Sequence, residues 1–230
     1  MNDPKIIIAL DYDNQSDVMQ LVQQIDPSEC RLKIGKELFT ACGPDIVRKV
    51  QDLGFEVFLD LKFHDIPATV AKACKAAANL GVWMLNVHAL GGVEMLKAAR
   101  NAVDDSGKST HLIAVTLLTS HSQSDISQVG LGGSIAENVL KLADLSFQSK
   151  LDGVVCSAQE TEILRQHLGN DFLLITPGIR PAGSCADDQT RIVTPHDALK
   201  NGSSYLVIGR PITLADNPLA ALREINQSIN

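Results

Sequence analysis

Eight short runs of β-branched and aliphatic residues recur along the chain, and almost every run ends at a polar or glycine-containing turn. They are Ile6 to Leu10, Arg31 to Ile34, Glu56 to Leu61, Met84 to Val87, His111 to Leu117, Gly153 to Cys156, Phe172 to Thr176 and Tyr205 to Ile208. Each is too short to be a helix, and between them lie stretches with helical spacing and start signals: Ser16 to Ile25, Pro67 to Leu80, Gly92 to Val103, Ser134 to Phe147, Ala158 to His167 and Asn217 to Ile225. Strands that alternate with helices form parallel sheets, and eight such units in 230 residues fit a (β/α)8 TIM barrel better than a doubly wound sheet, which has fewer strands. No linker, repeat or low-complexity segment divides residues 1–230, so a single-domain α/β barrel is expected. Hydrophobic residues at 45% with aromatics at only 4% agree with aliphatic packing between helices and a sheet.

Charge and cysteine usage narrow the function classes. The formal net charge is −7 and the lysines and arginines are scattered, which argues against a nucleic-acid or membrane-surface footprint. An anionic substrate would therefore need a locally basic pocket. Five cysteines with no C-x-x-C pair indicate neither a zinc site nor a complete disulfide framework, and a reducing compartment fits them best. The apolar run Ile6 to Leu10 is too short for a secretory or membrane-spanning segment, so a cytoplasmic protein is expected.

In such a barrel the chemistry sits where strands end and the following loops begin. Those positions hold Asp11, Lys33, Asp60 with Lys62, His88, Thr116 with Thr119, Cys156, Arg180 and Gly209-Arg210, so charged groups gather on one rim. Most informative is Phe58-Leu59-Asp60-Leu61-Lys62-Phe63-His64-Asp65-Ile66-Pro67. Alternate strand residues share a face, which puts Asp60 and Lys62 on one side. A carboxylate beside a buried lysine keeps it charged and ready to deliver a proton. A generic Asp-x-Lys is as readily a structural ion pair closing a strand; the surrounding run separates the two readings.

That run, Asp60-Leu61-Lys62-Phe63-His64-Asp65-Ile66-Pro67, resembles the D-x-K-x-x-D-I signature of the orotidine 5′-phosphate decarboxylases. Further matches follow in order at Leu10-Asp11, Leu32-Lys33-Ile34-Gly35, Leu117-Leu118-Thr119-Ser120, Thr176-Pro177-Gly178-Ile179-Arg180 and Ile208-Gly209-Arg210-Pro211-Ile212, so the resemblance spans nearly the whole chain. It implies a TIM barrel, a homodimer with active sites at the subunit interface, a pyrimidine nucleotide substrate and no cofactor or metal. Lys62 corresponds to the proton donor, with Lys33, Asp60 and Asp65 completing a network of alternating charge in which Asp65 reaches in from the partner subunit. Asp11 and Lys33 would hold ribose hydroxyls, Thr69 would add a contact from the partner, and Thr119 would touch the pyrimidine. Loss of CO₂ from C6 leaves a carbanion with no electron sink, so an ammonium beside C6 is needed to stabilise and then protonate it. Asp60 would lie near the departing carboxylate and repel it.

Barrels frequently bind phosphate with the loops after strands seven and eight. Here those loops hold Gly178 followed by Arg180, and Gly209-Arg210, which offer backbone N–H groups and guanidinium forks suited to phosphate oxygens. The polar, aperiodic stretch Pro181 to Thr194 reads as a mobile loop. The resemblance makes it a lid over the phosphate, with Gln189 bridging phosphate and pyrimidine.

Other candidates carry less. His64 and His88 show no metal-ligand spacing and read as core or supporting histidines, Cys156 as a small apolar strand residue, and Trp83 and Met84 as packing of the barrel wall. Two alternatives remain. One is a metal-dependent sugar-phosphate decarboxylase or aldolase of the same superfamily, against which Lys33 stands where those relatives carry an acid for the metal. The other is a non-catalytic barrel that senses a pyrimidine nucleotide.

Overall fold

The computed structural model describes residues 3–181 and 193–229. Eight strands, β1 (Ile6–Leu10), β2 (Arg31–Gly35), β3 (Val57–Phe63), β4 (Met84–His88), β5 (His111–Val115), β6 (Gly153–Val155), β7 (Leu173–Pro177) and β8 (Tyr205–Ile208), form a closed barrel in sequence order. All eight neighbouring pairs are parallel, and β8 closes on β1 through Ile6–Leu206, Ile7–Val207 and Ile8–Ile208. This is the expected (β/α)8 barrel.

Parity along each strand sorts residues between two cores. Ile6, Ile8 and Leu10 face outward and join the large cluster shared with the helices, in which Leu32, Ile34, Leu59, Leu85 and Leu112 are also fully or almost fully buried. Ile7, Ala9, Phe58, Met84, Ile113, Ile175, Tyr205 and Val207 face inward and fill the barrel's lumen. Below this plug, at the N-terminal ends of the strands, the Arg31 guanidinium lies 4.1 Å from the Trp83 ring centroid and pairs with Glu56 and Asp3. Trp83 thus caps the barrel floor with a cation–π contact, while Met84, expected in the barrel wall, packs the lumen.

The named helices form close to their expected limits. Ser134 and Asn217 are N-caps of the helices Ile135–Gln148 and Pro218–Ser228, their side chains accepting from backbone N–H groups of the first turn. Pro67 opens the helix Pro67–Asn79, where its missing N–H costs nothing. Two helices, Lys36–Cys42 and Asp45–Asp52, carry no such announcement: Gly35 and Pro44 precede them and neither supplies a side-chain cap.

Candidate active site

The site is built at the C-terminal ends of β1 to β4. Lys33 lies level with Ala9 on β1 and Phe58 on β3, and Asp60 lies level with Gly35, so a cation and an acid sit directly on the apolar plug. Both are buried. Asp60 Oδ1 is 2.6 Å from Lys62 Nζ, Asp60 Oδ2 is 3.5 Å from Lys33 Nζ, and Lys33 Nζ is 3.2 Å from Asp11 Oδ1. The result is an alternating chain, Asp11–Lys33–Asp60–Lys62, with its ends towards solvent. Burial pushes the Asp60 carboxyl up, but Lys33, Lys62 and the hydrogen bonds from Lys62 and Asn86 outweigh burial and hold it below the ordinary carboxylate range.

Lys62 reaches Asp60 by a route that simple strand alternation does not describe. The β3–β4 register runs Leu59 to Leu85 and then Phe63 to Val87, so four residues of β3 advance against two of β4. Lys62 sits in this bulge with φ +52, a left-handed conformation that costs a non-glycine residue about 1–3 kcal/mol. The bulge removes the Lys62 N–H from the ladder, and the Asn86 side-chain carbonyl accepts it at 2.8 Å. Asn86 in turn donates to Asp60 Oδ1 at 2.7 Å.

Over this network opens a cavity of about 230 Å³ lined by Lys33, Asp60, Lys62, Thr119, Pro177 and Val207 among others. It shares Leu117, Leu118, Thr119, Ser120 and Pro177 with an adjoining cavity of about 340 Å³ that extends towards Ser157 and Glu160. Apolar Phe58, Val115, Val155, Ile175 and Val207 line it beside the charged Lys33, Asp60 and Lys62, the mixture of a small-molecule site.

The family model described as "Orotidine 5′-phosphate decarboxylase / HUMPS family" matches residues 4–225. The chain belongs to this family. A curated relative from Nitrosococcus oceani, named orotidine 5′-phosphate decarboxylase, is 57% identical over 100% of this chain and 99% of its own length. One of the same name from Saccharophagus degradans is 60% identical over 97% of this chain and 94% of its own. The crystal structure of orotidine 5′-phosphate decarboxylase from Lactobacillus acidophilus superposes with a TM-score of 0.89 at 41% identity, covering 99% of this chain and 100% of the other.

Membership in this family gives the remaining positions their context. Gly209 precedes the short helix Arg210–Thr213 and stands beside Ala9 and Asp11, so the ends of β8 and β1 meet at the site's edge, and Arg210 is exposed there. Arg180, expected at the phosphate, is buried, with its backbone N–H bonded to Val193 O and its guanidinium to Ile179 O. Gly178 before it adopts φ +78, which suits glycine. Asp65 and Thr69 do not join the network within one chain. Both are exposed, and Asp65 Oδ1 accepts only from the Ile66 N–H among the bonds seen for it. Gln189 lies outside the described residues, as does most of the expected lid.

His88 ends β4 with its ring centroid 5.5 Å from that of His64. Burial first, then His64, Lys36 and Lys62, lower its pKa to about 4, so the ring is neutral at physiological pH. Cys156 is fully buried and burial raises its thiol well above the ordinary range, which suits packing and not nucleophilic attack. Among the described residues no group of three or more His, Cys, Asp or Glu is arranged to hold a metal ion. Asn86 is the site residue that the sequence reading passes over. Its signal is parity: it shares the face of inward-facing Met84 and stands between apolar Leu85 and Val87.

Proposed function

We propose that this chain converts orotidine 5′-phosphate to uridine 5′-phosphate and CO₂, a step of pyrimidine nucleotide synthesis, with residues 1–230 acting as one catalytic unit. The observation that carries the reading is the Lys62 ammonium, fixed 2.6 Å from a carboxylate that a second lysine also approaches, in a cavity lined otherwise mostly by apolar side chains. The C6–carboxylate bond breaks, CO₂ leaves, and the electron pair stays on C6. Lys62 stabilises that charge and then transfers a proton to C6, after which solvent reprotonates the amine. Asp60 keeps Lys62 aimed; as an anion beside the leaving carboxylate it also disfavours the bound substrate relative to the transition state. No cofactor is invoked, because the carbanion is stabilised by fixed charge.

In this reading Asp11 and Lys33 hold the ribose, Thr119 meets the pyrimidine, Arg180, Gly209 and Arg210 take the phosphate, and Gln189 bridges phosphate and pyrimidine. Two copies of the chain assemble as a homodimer, so that Asp65 and Thr69 enter the neighbouring site. Support comes from their exposure beside Ile66, an apolar side chain left 66% exposed. A cytoplasmic location fits Cys30, Cys42, Cys74 and Cys156, which are free thiols; no helix of the described residues is long and apolar enough to cross a membrane. The metal-dependent sugar-phosphate alternative is disfavoured by Lys33, whose ammonium lies between Asp11 and Asp60, the two acids a cation would need. The test is orotidylate turnover in EDTA, followed by loss of absorbance and by product formation. The expected result is stoichiometric conversion to uridine 5′-phosphate; no consumption, or a strict need for metal, overturns the proposal.

A further inference from the structure

Asn86 is a neutral amide at 0% exposure in the middle of β4, among Met84, Leu85 and Val87, which are equally inaccessible to water. A polar side chain so placed costs stability unless both ends of the amide are satisfied. Here they are satisfied by the two residues of the lysine–aspartate pair. The carbonyl oxygen accepts from the Lys62 backbone N–H at 2.8 Å, and the amide nitrogen donates to Asp60 Oδ1 at 2.7 Å. Neither contact survives reversal of the amide, because an N–H needs an acceptor and a carboxylate needs a donor, so the neighbours fix one orientation.

The two contacts do different work. The first replaces the ladder bond that the bulge in β3 takes from Lys62, and so supports the left-handed backbone, φ +52, from which the lysine side chain departs. The second lands on the same carboxylate oxygen that receives Lys62 Nζ at 2.6 Å. It therefore fixes the rotation of the carboxylate, with Oδ1 towards Lys62 and Oδ2 towards Lys33 at 3.5 Å. One side chain constrains the lysine at its backbone and its partner at the carboxylate.

We propose that Asn86 is a positioning residue for the decarboxylation, acting through Lys62 and Asp60 and not by contact with the substrate. The inference rests on the function proposed above. A shift of about 1 Å in a reacting group can cost about 100-fold in rate, so Asn86→Ala should lower kcat and kcat/KM together by about that factor while leaving uridine 5′-phosphate binding within about threefold of the parent. A residue that only packed the barrel would lower the amount of folded enzyme without changing turnover per binding-competent site. Asn86→Asp, of equal size, keeps the acceptor for Lys62 but sets a second carboxylate against Asp60. One of two such acids holds its proton more tightly, so the acid limb of the kcat profile should move to higher pH.

The deciding experiment combines turnover per nucleotide-binding site for both variants with a crystal structure of Asn86→Ala, or of Asn86→Asp if the first does not fold. In Asn86→Ala, Lys62 should leave positive φ and Nζ should lose its contact with Asp60; in Asn86→Asp, the Asp60 carboxylate should rotate away from Lys62. Unchanged Lys62 and Asp60 geometry, or turnover per site within about threefold of the parent with an unmoved pH profile, overturns the proposal. The parent chain in the same assay tests the decarboxylase reading separately, and the variant structure reports on positioning with no substrate present.

Discussion

Taken out of water alone, the Asp60 carboxylate would take up a proton; between two ammonium groups and an amide donor it stays ionised below the ordinary carboxylate range. The sign of the pH effect follows. Its folded pKa lies below the unfolded value, so its contribution to stability is present above the unfolded pKa and lost only as pH falls through the lower folded one. Lys62 draws on that ionised partner. Lys62→Ala is expected to lower kcat by about 10³-fold or more, since both charge stabilisation and proton delivery go. Calorimetric titration with uridine 5′-phosphate should still detect binding, and near-normal turnover would contradict the donor role. His88 shows the opposite balance, because His64, Lys36 and Lys62 add to burial and together outweigh Asp60. With a folded pKa of about 4 against 6.5 unfolded, the unfolded chain binds the extra proton between those values, so stability falls as pH drops across that window. His88→Gln should flatten this slope in urea unfolding measured from pH 7 to pH 4; an unchanged slope would mean that the ring is not held neutral.

Among the elements, β6 is the shortest strand, three residues between β5 and β7, and it depends on Gly153. A Cβ at Gly153 would overlap the carbonyl oxygen of Leu173, its partner on β7. Backbone cannot rotate aside, so Gly153→Ala must separate two barrel strands. The expected loss is about 1–3 kcal/mol by urea denaturation, and an unaltered midpoint would refute the close approach. Strand positions are legible in the sequence because an aliphatic run between two turns has few other folds to adopt; β1 and β8 match to the residue, and β3 begins one residue later than expected. The end of β3 is less legible, since the bulge at Lys62 is a matter of register against β4 and of an amide 24 residues on. Asn86 escapes notice for the same reason: strand parity places it inside the barrel, but only the assembled barrel shows which groups it meets. That Lys33 and Asp60 lie on one rim is readable because strand ends of a closed barrel must converge, whichever helices connect them; Lys62 stands out through the family resemblance of its run and not through its geometry.

At the scale of the whole molecule, one chain supplies a network whose charges cancel, Asp11 and Asp60 against Lys33 and Lys62, and leaves Asp65 outside it on an exposed surface. The homodimer proposed above would bring Asp65 into a site, because two-fold symmetry that carries Asp65 of one copy to Lys62 of the other does the same in reverse. The consequence can be measured without a structure. Lys62→Ala chains and Asp65→Ala chains should each be nearly inactive as homodimers, since every site lacks one group. In a hybrid dimer one site receives both defects and the other receives Lys62 from one chain and Asp65 from its partner, which restores it in full. Random exchange makes half of the dimers hybrids, so an equimolar mixture should recover about one quarter of the parent activity. Subunit exchange must be followed independently, for example by mass spectrometry of differently tagged chains. Recovery tracking the hybrid fraction would place Asp65 in the neighbouring site; exchange without recovery would confine each active site to one chain.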